Sequence, residues 1–320
     1  MNPEKLFFES SVGEGCRIAA FFSPCSGQPK GLIQICHGMA DYFGRYEEMV
    51  DTFNAAGWHV CGMDMPGHGQ TYYLNKDLDM PLGFFGSRSD SAVCILKDEM
   101  KLHSLMLEKP GMKGLPMVLL GHSMGSFVAR NIYITPEYAP EFDAFVFCST
   151  MGKEPAVGFG IVLARIAAVF GMKRRPGKLQ ESISFGTYNK KISNPKTHFD
   201  WVCSDEAVVA AYCADPLAGF SFTCKGFYDL FKLVARMQRG AAYRDLPGKP
   251  CLLTYAMDDP VSGYGKGAQS VADKLAAAGA DVTVKNYGHV RHEIHNESIK
   301  GKLFEDILQF CNEKTLRGNT

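Results

Sequence analysis

A serine between two glycines, in the pentapeptide GHSMG at residues 121–125, has the residue types needed for nucleophilic catalysis. It follows the apolar run PMVLL and precedes a stretch with helical spacing, which is the order of strand, sharp turn and helix in a nucleophile elbow. The glycines permit a tight turn, and the backbone N–H after the serine lies at a helix N-terminus, where anions bind. We therefore expect Ser123 to be a nucleophile rather than part of a structural Gly-Ser turn.

A serine hydroxyl needs a base to accept its proton, and the base needs a carboxylate to orient it. Three histidines lie late enough in the chain to act as that base, at His289, His292 and His295. The apolar run CLLTYAM is followed directly by two carboxylates, Asp258 and Asp259, and either could orient the imidazole. These residues alone leave the choice of histidine and of carboxylate open.

The same histidines raise a metal site as an alternative, because their spacing of three would cluster them on a helix. No acidic or cysteine ligand set accompanies them, so we expect no metal. The two histidines that are not the base are expected to support it from behind or to lie at the surface. Two earlier histidines are expected to be structural: His37 in a turn below the site and His122 inside the elbow.

Short apolar runs alternate with longer segments of helical spacing, and this alternation predicts a parallel sheet covered by helices on both faces. The predicted strands span residues 31–36, 58–64, 116–120, 144–149, 251–257 and 281–287. The predicted helices span residues 45–56, 90–107, 124–134, 265–278 and 297–311. Two earlier segments, KLFFES and CRIAAFF, predict a hairpin at the edge of the sheet.

The alternation is interrupted once, between about residues 151 and 236, where helical and aromatic stretches replace the strands. We expect this segment to be a helical cap above the carboxyl ends of the strands. Residues 1–150 and 237–320 then form the two parts of the core.

The cap segment begins with GFGIVLARIAAVFG, which is shorter than the roughly 20 residues needed to cross a bilayer. We expect a buried cap helix beside a solvated basic loop. Transient contact with a lipid surface is kept as an alternative, with headgroups meeting Lys173, Arg174 and Arg175. Candidates for lining a pocket on this helix are Phe159, Ile161 and Phe170.

Charge and cysteine usage limit the partners and the compartment. Lysine plus arginine equal aspartate plus glutamate at 34 each, which disfavours nucleic acid and indicates a small or neutral ligand. The eleven cysteines show no CxxC or zinc-type spacing, and several lie within apolar runs, so we expect reduced thiols in a cytoplasmic protein. The first ten residues, MNPEKLFFES, have no apolar stretch typical of a signal peptide.

Five motifs together resemble the α/β-hydrolase superfamily, and within it the monoacylglycerol lipase, lysophospholipase and serine aminopeptidase group: HGMADYFGRY, DMPGHGQT, GHSMG, DDPVSGYGKG and RHEIHNE. The resemblance implies an α/β fold with a mostly parallel eight-stranded sheet, flanking helices and an inserted helical cap. It implies Ser123 as the nucleophile, Asp259 as the acid and His292 as the base. It also implies an oxyanion hole made by the backbone N–H groups of Met39 and Met124, and no cofactor.

Two motifs depart from the pattern of that group. Its members commonly carry HGxxEH, whereas this chain has Asp41 and Tyr42 in place of the glutamate and histidine. They also carry GHGxS, where Thr71 stands at the serine position. Neither change touches the implied triad, but the first bears on how the oxyanion loop is braced.

The expected activity is hydrolysis of small-molecule carboxylic esters through an acyl-enzyme, with lipid-like monoesters such as monoacylglycerol or lysophospholipid as the first choice. A hydrophobic cleft between cap and core would suit such esters, although the same aromatic residues could form the core of the cap itself. The aromatic residues concerned are Phe185, Tyr188, Phe199, Trp201, Phe220 and Phe222.

Two alternatives stay open. An aminopeptidase or amidase on the same triad would need cap carboxylates to hold a substrate ammonium group, and the candidates are Glu154, Glu181, Asp200, Asp205, Glu206 and Asp215. A non-catalytic binding protein with a hydrolase fold is the other, but it would have no need of a complete triad.

Overall fold

The computed structural model describes residues 3–13, 15–244, 246 and 248–316. Its strands, β1 to β8, are Glu4–Glu9, Arg17–Ser23, Gly31–Cys36, Trp58–Met63, Met117–His122, Ala144–Cys148, Cys251–Tyr255 and Val282–Asn286. Its α-helices, α1 to α10, are Glu47–Ala55, Gly69–Leu74, Ser91–Leu107, Met124–Tyr133, Val157–Val169, Lys178–Phe185, Glu206–Ala214, Cys224–Met237, Lys266–Ala277 and Lys300–Thr315.

Across the described residues, the strands form one eight-stranded sheet in the order β1-β2-β4-β3-β5-β6-β7-β8. The pairs β1·β2 and β2·β4 are antiparallel, and every neighbouring pair from β4 to β8 is parallel. This confirms the predicted α/β fold and the hairpin at the sheet edge. Parallel strands place all their carboxyl ends along one edge, which is where ligands bind in such sheets.

Both faces of the sheet are buried, as the continuous apolar runs require. In β3, Leu32 and Cys36 contribute to the core on one face, whereas Ile33 and Ile35 contribute to the core on the other. Helices α3, α4 and α8 cover the first face, and α1 and α10 cover the second. The sheet is therefore a rigid base for the loops at its carboxyl edge.

Most predicted elements are found, and their boundaries agree best where the apolar run is continuous. Each of the six predicted strands lies within two residues of its observed limits. The helix predicted from residue 297 instead begins at Lys300, because residues 294–296 form a 3₁₀ turn that carries the preceding loop. Helix α2 was not predicted. It has only six residues, and its buried residues are Gly69 and Thr71, which give no apolar periodicity.

Four helices, α5 to α8, lie between β6 and β7. Helix α5 packs one side against α8, where Ala164 is fully buried, but its other side is open and Val169 is 79% exposed. The expectation of a buried cap helix is therefore wrong for that side. Helix α8 extends to Met237 and joins the same core cluster as the strands, so the cap limits at residues 151 and 236 stay a prediction.

Two further observations concern the membrane and the thiols. Within the described residues, α-helices of the length and apolar character needed to cross a membrane are not found. All eleven cysteines are free, and most are buried as small apolar side chains.

Candidate active site

The turn between β5 and α4 holds Ser123 at a positive φ of 53°, with ψ −121°, a backbone conformation that residues other than glycine rarely adopt. A Cβ on Gly121 would lie 2.2 Å from the carbonyl oxygen of Gly125, and a Cβ on Gly125 would lie 2.0 Å from that of Cys36. Only glycine fits at either position, so the motif is set by close backbone approach. The N–H of Ser123 donates to the carbonyl of Cys148 at the end of β6, at 3.0 Å.

The loops after β7 and β8 bring a histidine onto a buried carboxylate. Nδ1 of His292 lies 2.9 Å from Oδ1 of Asp259, and that carboxylate is fully buried. Asp259 also accepts hydrogen bonds from the backbone N–H groups of Val261, at 2.9 Å, and Ser262, at 3.2 Å. Because an ionised carboxylate only accepts, the bonding assigns the proton to Nδ1 and leaves Nε2 of His292 as an acceptor.

The alternative acid and the other two histidines lie elsewhere. Asp258 is half exposed and its carboxylate lies 3.0 Å from Nδ1 of His289, which is 81% exposed, so this pair belongs to the surface. His295 is buried, with its ring stacked on Tyr46 at 4.8 Å. Among the described residues, no group of three or more histidine, cysteine, aspartate or glutamate side chains is placed to hold a metal ion.

A cavity of about 990 Å³ opens above the carboxyl edge of the sheet and is bounded by α5, α6 and α8. Ser123 and His292 both line it. So do Met39, which follows β3, and Met124, the first residue of α4. These four residues, which follow three different strands in the sequence, thus line one cavity.

Asp41, one of the two residues that depart from the HGxxEH pattern, braces the loop before α1. Its carboxylate accepts from the N–H of Gly38 at 3.3 Å, from the hydroxyl of Tyr46 at 2.8 Å and from the guanidinium of Arg45 at 3.0 Å. Arg45 makes two further bonds to the Glu293 carboxylate, at 2.8 and 2.7 Å. Burial raises the pKa of Asp41, but the Arg45 guanidinium, the neighbouring His37 and His122 rings and the Tyr46 hydroxyl together outweigh burial and hold that pKa well below its usual range.

Sequence reasoning missed this buried ion network. Arg45 and Glu293 both lie inside quoted motifs, yet 248 positions separate them, and no local pattern pairs two such charges. The available signal was that Glu293 directly follows the expected base, His292, and that Arg45 lies four positions after Asp41.

Neutral histidines surround the network. Burial lowers the pKa of His295 to about 4 and that of His122 well below its usual value, so both rings are uncharged near neutral pH. His37 accepts from the N–H of Met65 at 3.0 Å and packs in a turn, as expected. Nδ1 of His122 lies 3.1 Å from the hydroxyl oxygen of Tyr46, which links it to the charged residues.

The walls of the cavity are largely aromatic, and most of the aromatic residues that the sequence singled out line it: Phe185, Tyr188, Phe199, Trp201 and Phe220. Phe222 is fully buried behind them. Of the three lining candidates in α5 and after it, Phe159 faces the cavity, whereas Ile161 and Phe170 lie outside it. Phe170 is 76% exposed, so its assignment to the pocket is wrong.

The cap carboxylates do not gather into a cluster. Glu154 and Glu181 line the cavity, but Oε1 of Glu154 accepts from the N–H of Ala156 just before α5. The remaining four have partners elsewhere, namely Thr197 for Asp200, the α7 N-terminus for Asp205, Lys196 for Glu206 and the Tyr42 hydroxyl for Asp215.

A family model described as serine aminopeptidase, S33, matches residues 27–299. The chain belongs to this family. It is 29% identical to a monoacylglycerol lipase of Mycolicibacterium smegmatis over 88% of both chains. It is 27% identical to human monoglyceride lipase over 92% of this chain and 86% of that protein. A solved structure of a highly thermostable carboxyl esterase from Bacillus coagulans, in complex with glycerol, is similar with a TM-score of 0.89. The two chains are 28% identical, and the match covers 98% of this chain and 99% of the esterase chain.

Membership of the S33 family confirms the resemblance drawn from the five motifs, and the protein is an α/β-hydrolase. Its match spans the loops that carry the elbow serine, the buried carboxylate and the paired histidine.

Proposed function

We propose that this protein hydrolyses carboxylic esters with Ser123 as nucleophile, His292 as general base and Asp259 as the carboxylate that orients the imidazole. The observation that carries the proposal is the buried hydrogen bond of 2.9 Å between His292 and Asp259, on a cavity that Ser123 also lines. Ser123 attacks the ester carbonyl while Nε2 of His292 takes its proton. The imidazolium then protonates the leaving alcohol, and water releases the acyl group through the same base.

The oxyanion of each tetrahedral intermediate would be held by the backbone N–H groups of Met39 and Met124. Supporting this, both residues line the cavity beside the elbow, and Met124 is the first residue of α4. One donor in such a hole commonly contributes about 3 kcal/mol to the transition state. The Gly38 N–H, next to Met39, donates to the Asp41 carboxylate, and this bond keeps the first of the two donors in place.

Lipid-like monoesters are the substrates that the cavity favours. Its volume of about 990 Å³ and its aromatic walls suit an acyl chain. Two relatives carry the names monoacylglycerol lipase and monoglyceride lipase, and the similar carboxyl esterase was solved with glycerol. Monoacylglycerol or lysophospholipid is therefore the substrate class we propose.

An aminopeptidase, for which the family is named, is less well supported. A substrate ammonium group needs an accessible carboxylate, but Asp41 and Glu293 at the cavity wall are only 3% and 5% exposed and both already bond to Arg45, whose single charge offsets one of their two. Glu154 caps the start of α5, which leaves Glu181. A binding protein without catalysis would not require the buried pair of His292 and Asp259.

Contact with a lipid surface through α5 and α6 extends the proposal. These helices and the loop between them expose Phe159, Val162, Ile166, Val169, Phe170, Leu179 and Ile183. Exposed Lys173, Arg175 and Lys178 lie beside them, and the patch reaches the cavity rim. Arg174 does not belong to this surface, because it donates to the carbonyl of Asp79 at 2.8 Å.

Flotation with vesicles that contain anionic phospholipid tests the contact. The wild type is expected to float, and Val169→Glu is expected to remain at the bottom of the gradient. Phe7→Glu is the matched control, since Phe7 is also exposed but lies in β1 at the far edge of the sheet. Flotation of all three proteins to the same extent would contradict the assigned surface.

Initial rates on p-nitrophenyl esters from acetate to palmitate, together with monoacylglycerol, test the main proposal. We expect a maximum at medium or long chains and at least about a thousandfold lower kcat for Ser123→Ala, which should remain folded. Full turnover by Ser123→Ala would refute the mechanism. Activity confined to acetate would refute the lipid-like substrate class while leaving ester cleavage intact.

A further inference from the structure

The carboxyl end of β6 holds both reacting residues by their main chains. The carbonyl of Cys148 accepts from the N–H of Ser123 at 3.0 Å. The next residue, Ser149, donates its hydroxyl to the carbonyl of His292 at 2.7 Å. Its own N–H donates to the carbonyl of Thr254 in β7 at 2.8 Å. Two consecutive residues of one strand end therefore link the elbow, the histidine loop and the neighbouring strand.

We propose that Ser149 is a positioning residue for the base, whose hydroxyl fixes the His292 main chain relative to the nucleophile. The inference rests on the proposed function, because it gives Ser123 and His292 their roles. Ser149 is fully buried beneath the site and acts through His292 rather than on the substrate.

Another side chain approaches the same carbonyl but cannot replace the hydroxyl. Nε2 of His122 lies 3.4 Å from the carbonyl oxygen of His292. The Tyr46 hydroxyl donates its hydrogen bond to the ionised Asp41, so its oxygen accepts from Nδ1–H of His122. His122 is neutral, because burial lowers its pKa well below the usual value. Its Nε2 then carries a lone pair, and the hydrogen bond to the carbonyl comes from Ser149.

The backbone of Ser149 points to a use for its side chain. Its φ is 51°, in the left-handed region that glycine adopts without cost and that other residues adopt only with steric strain. A residue needed only for the turn would be better replaced by glycine. The hydroxyl that the strained backbone carries is the group that bonds to His292.

Two substitutions separate the hydroxyl from the turn. Ser149→Ala removes the hydroxyl and keeps the strained backbone, whereas Ser149→Gly removes the hydroxyl and relieves the strain. Ser10→Ala is the matched control, because Ser10 is also buried and donates its hydroxyl to Asp98, in a separate part of the fold. For each variant we would measure kcat, KM, the unfolding midpoint and the rate of Ser123 modification by a fluorophosphonate.

That modification requires only an activated serine: an O–P bond forms, the P–F bond breaks, fluoride leaves and His292 takes the hydroxyl proton. It therefore reports on the base whichever acyl substrate the protein cleaves. We expect kcat and the modification rate to fall by about tenfold in both Ser149 variants, with KM changed by less than about twofold. Ser149→Gly should unfold at or above the midpoint of Ser149→Ala, and Ser10→Ala should lose stability without losing kcat.

Wild-type kcat and modification rate in Ser149→Gly would overturn the inference, because the residue would then serve the turn alone. An equal loss of kcat in Ser10→Ala would also overturn it, since loss of any buried hydroxyl would then suffice. Failure of the proposed function looks different. Ser123→Ala would keep its turnover, or the wild type would react with the fluorophosphonate while leaving all esters intact.

Discussion

Replacing Arg45 by methionine tests the buried ion network, because it removes the guanidinium that bonds to both Asp41 and Glu293. The two carboxylate side chains are 3% and 5% exposed, so water cannot take over these bonds. Removing one partner of a buried ion pair typically costs about 3–5 kcal/mol of unfolding free energy, since it leaves uncompensated buried charge. Methionine keeps most of the side-chain volume, so we expect a loss of about 4 kcal/mol at pH 7.5.

The loss should depend on pH in a direction that the pKa values fix. In the wild type, burial raises the pKa of Asp41 and Glu293. Arg45 and the other groups around these carboxylates more than offset burial, so both pKa values lie below their usual values. The free energy that these two ionised carboxylates contribute to folding is thus present at neutral pH, and it is lost as the pH falls through their folded-state pKa values. In Arg45→Met, burial raises both pKa values and the folded state binds extra protons on acidification. The difference between the two proteins should therefore shrink from pH 7.5 to pH 5.

Urea unfolding of both proteins at the two pH values measures these differences. Lys300→Met is the matched control, because its pair with Glu48 lies at the surface and should contribute less than about 1 kcal/mol. The reasoning is refuted if Arg45→Met loses no more stability than Lys300→Met, or if its deficit grows on acidification. We also expect a lower kcat in Arg45→Met, since Asp41 holds Gly38 beside Met39.

Two further predictions concern single carboxylates. Asp259→Asn should lower kcat by about 10⁴-fold because it disturbs the tautomer of the paired imidazole. Asp258→Asn, at the surface, should change kcat by less than about twofold, and equal losses would contradict the assignment. Burial raises the pKa of Glu99 to about 7 from 4.5, so the folded state retains a proton and stability falls as the pH rises between these values. The thermal unfolding midpoint of Glu99→Gln should rise relative to that of the wild type from pH 5 to pH 7.5. A difference in midpoint that does not change with pH would contradict this prediction.

The elbow was predictable because all its determinants lie within a few residues. The apolar run, the paired glycines and the helix after Ser123 each restrict the backbone locally. The strands were likewise predictable, since a strand buried on both faces needs an unbroken apolar run.

The choice of acid and base could not be made from the residues alone. Asp258 and Asp259 are adjacent, and only the turn after β7 buries one and exposes the other. The family motifs indicated Asp259 and His292, and the structure joins those two by a hydrogen bond. Their catalytic roles stay predictions until the variants are measured.

Contacts between distant segments left no trace in the local pattern. The bond from Ser149 to His292 spans 143 positions and joins the end of β6 to the loop after β8, two strands that β7 separates in the sheet. The exposed side of α5 was mispredicted for a related reason, since an apolar helix normally lies in a core and periodicity cannot show that nothing covers it.

Helix α8 has a consequence for how substrate enters. Adjacent parallel strands need a crossover connection, and between β6 and β7 this helix supplies it by packing on the sheet. Leu230 and Val234 belong to that core and also line the cavity. The floor of the cap therefore cannot swing without unpacking the core, so a movement that widens the mouth of the cavity has to come from α5 and α6. Engineering of chain-length preference can then proceed on those two helices while the hydrolytic centre and its foundation stay unchanged.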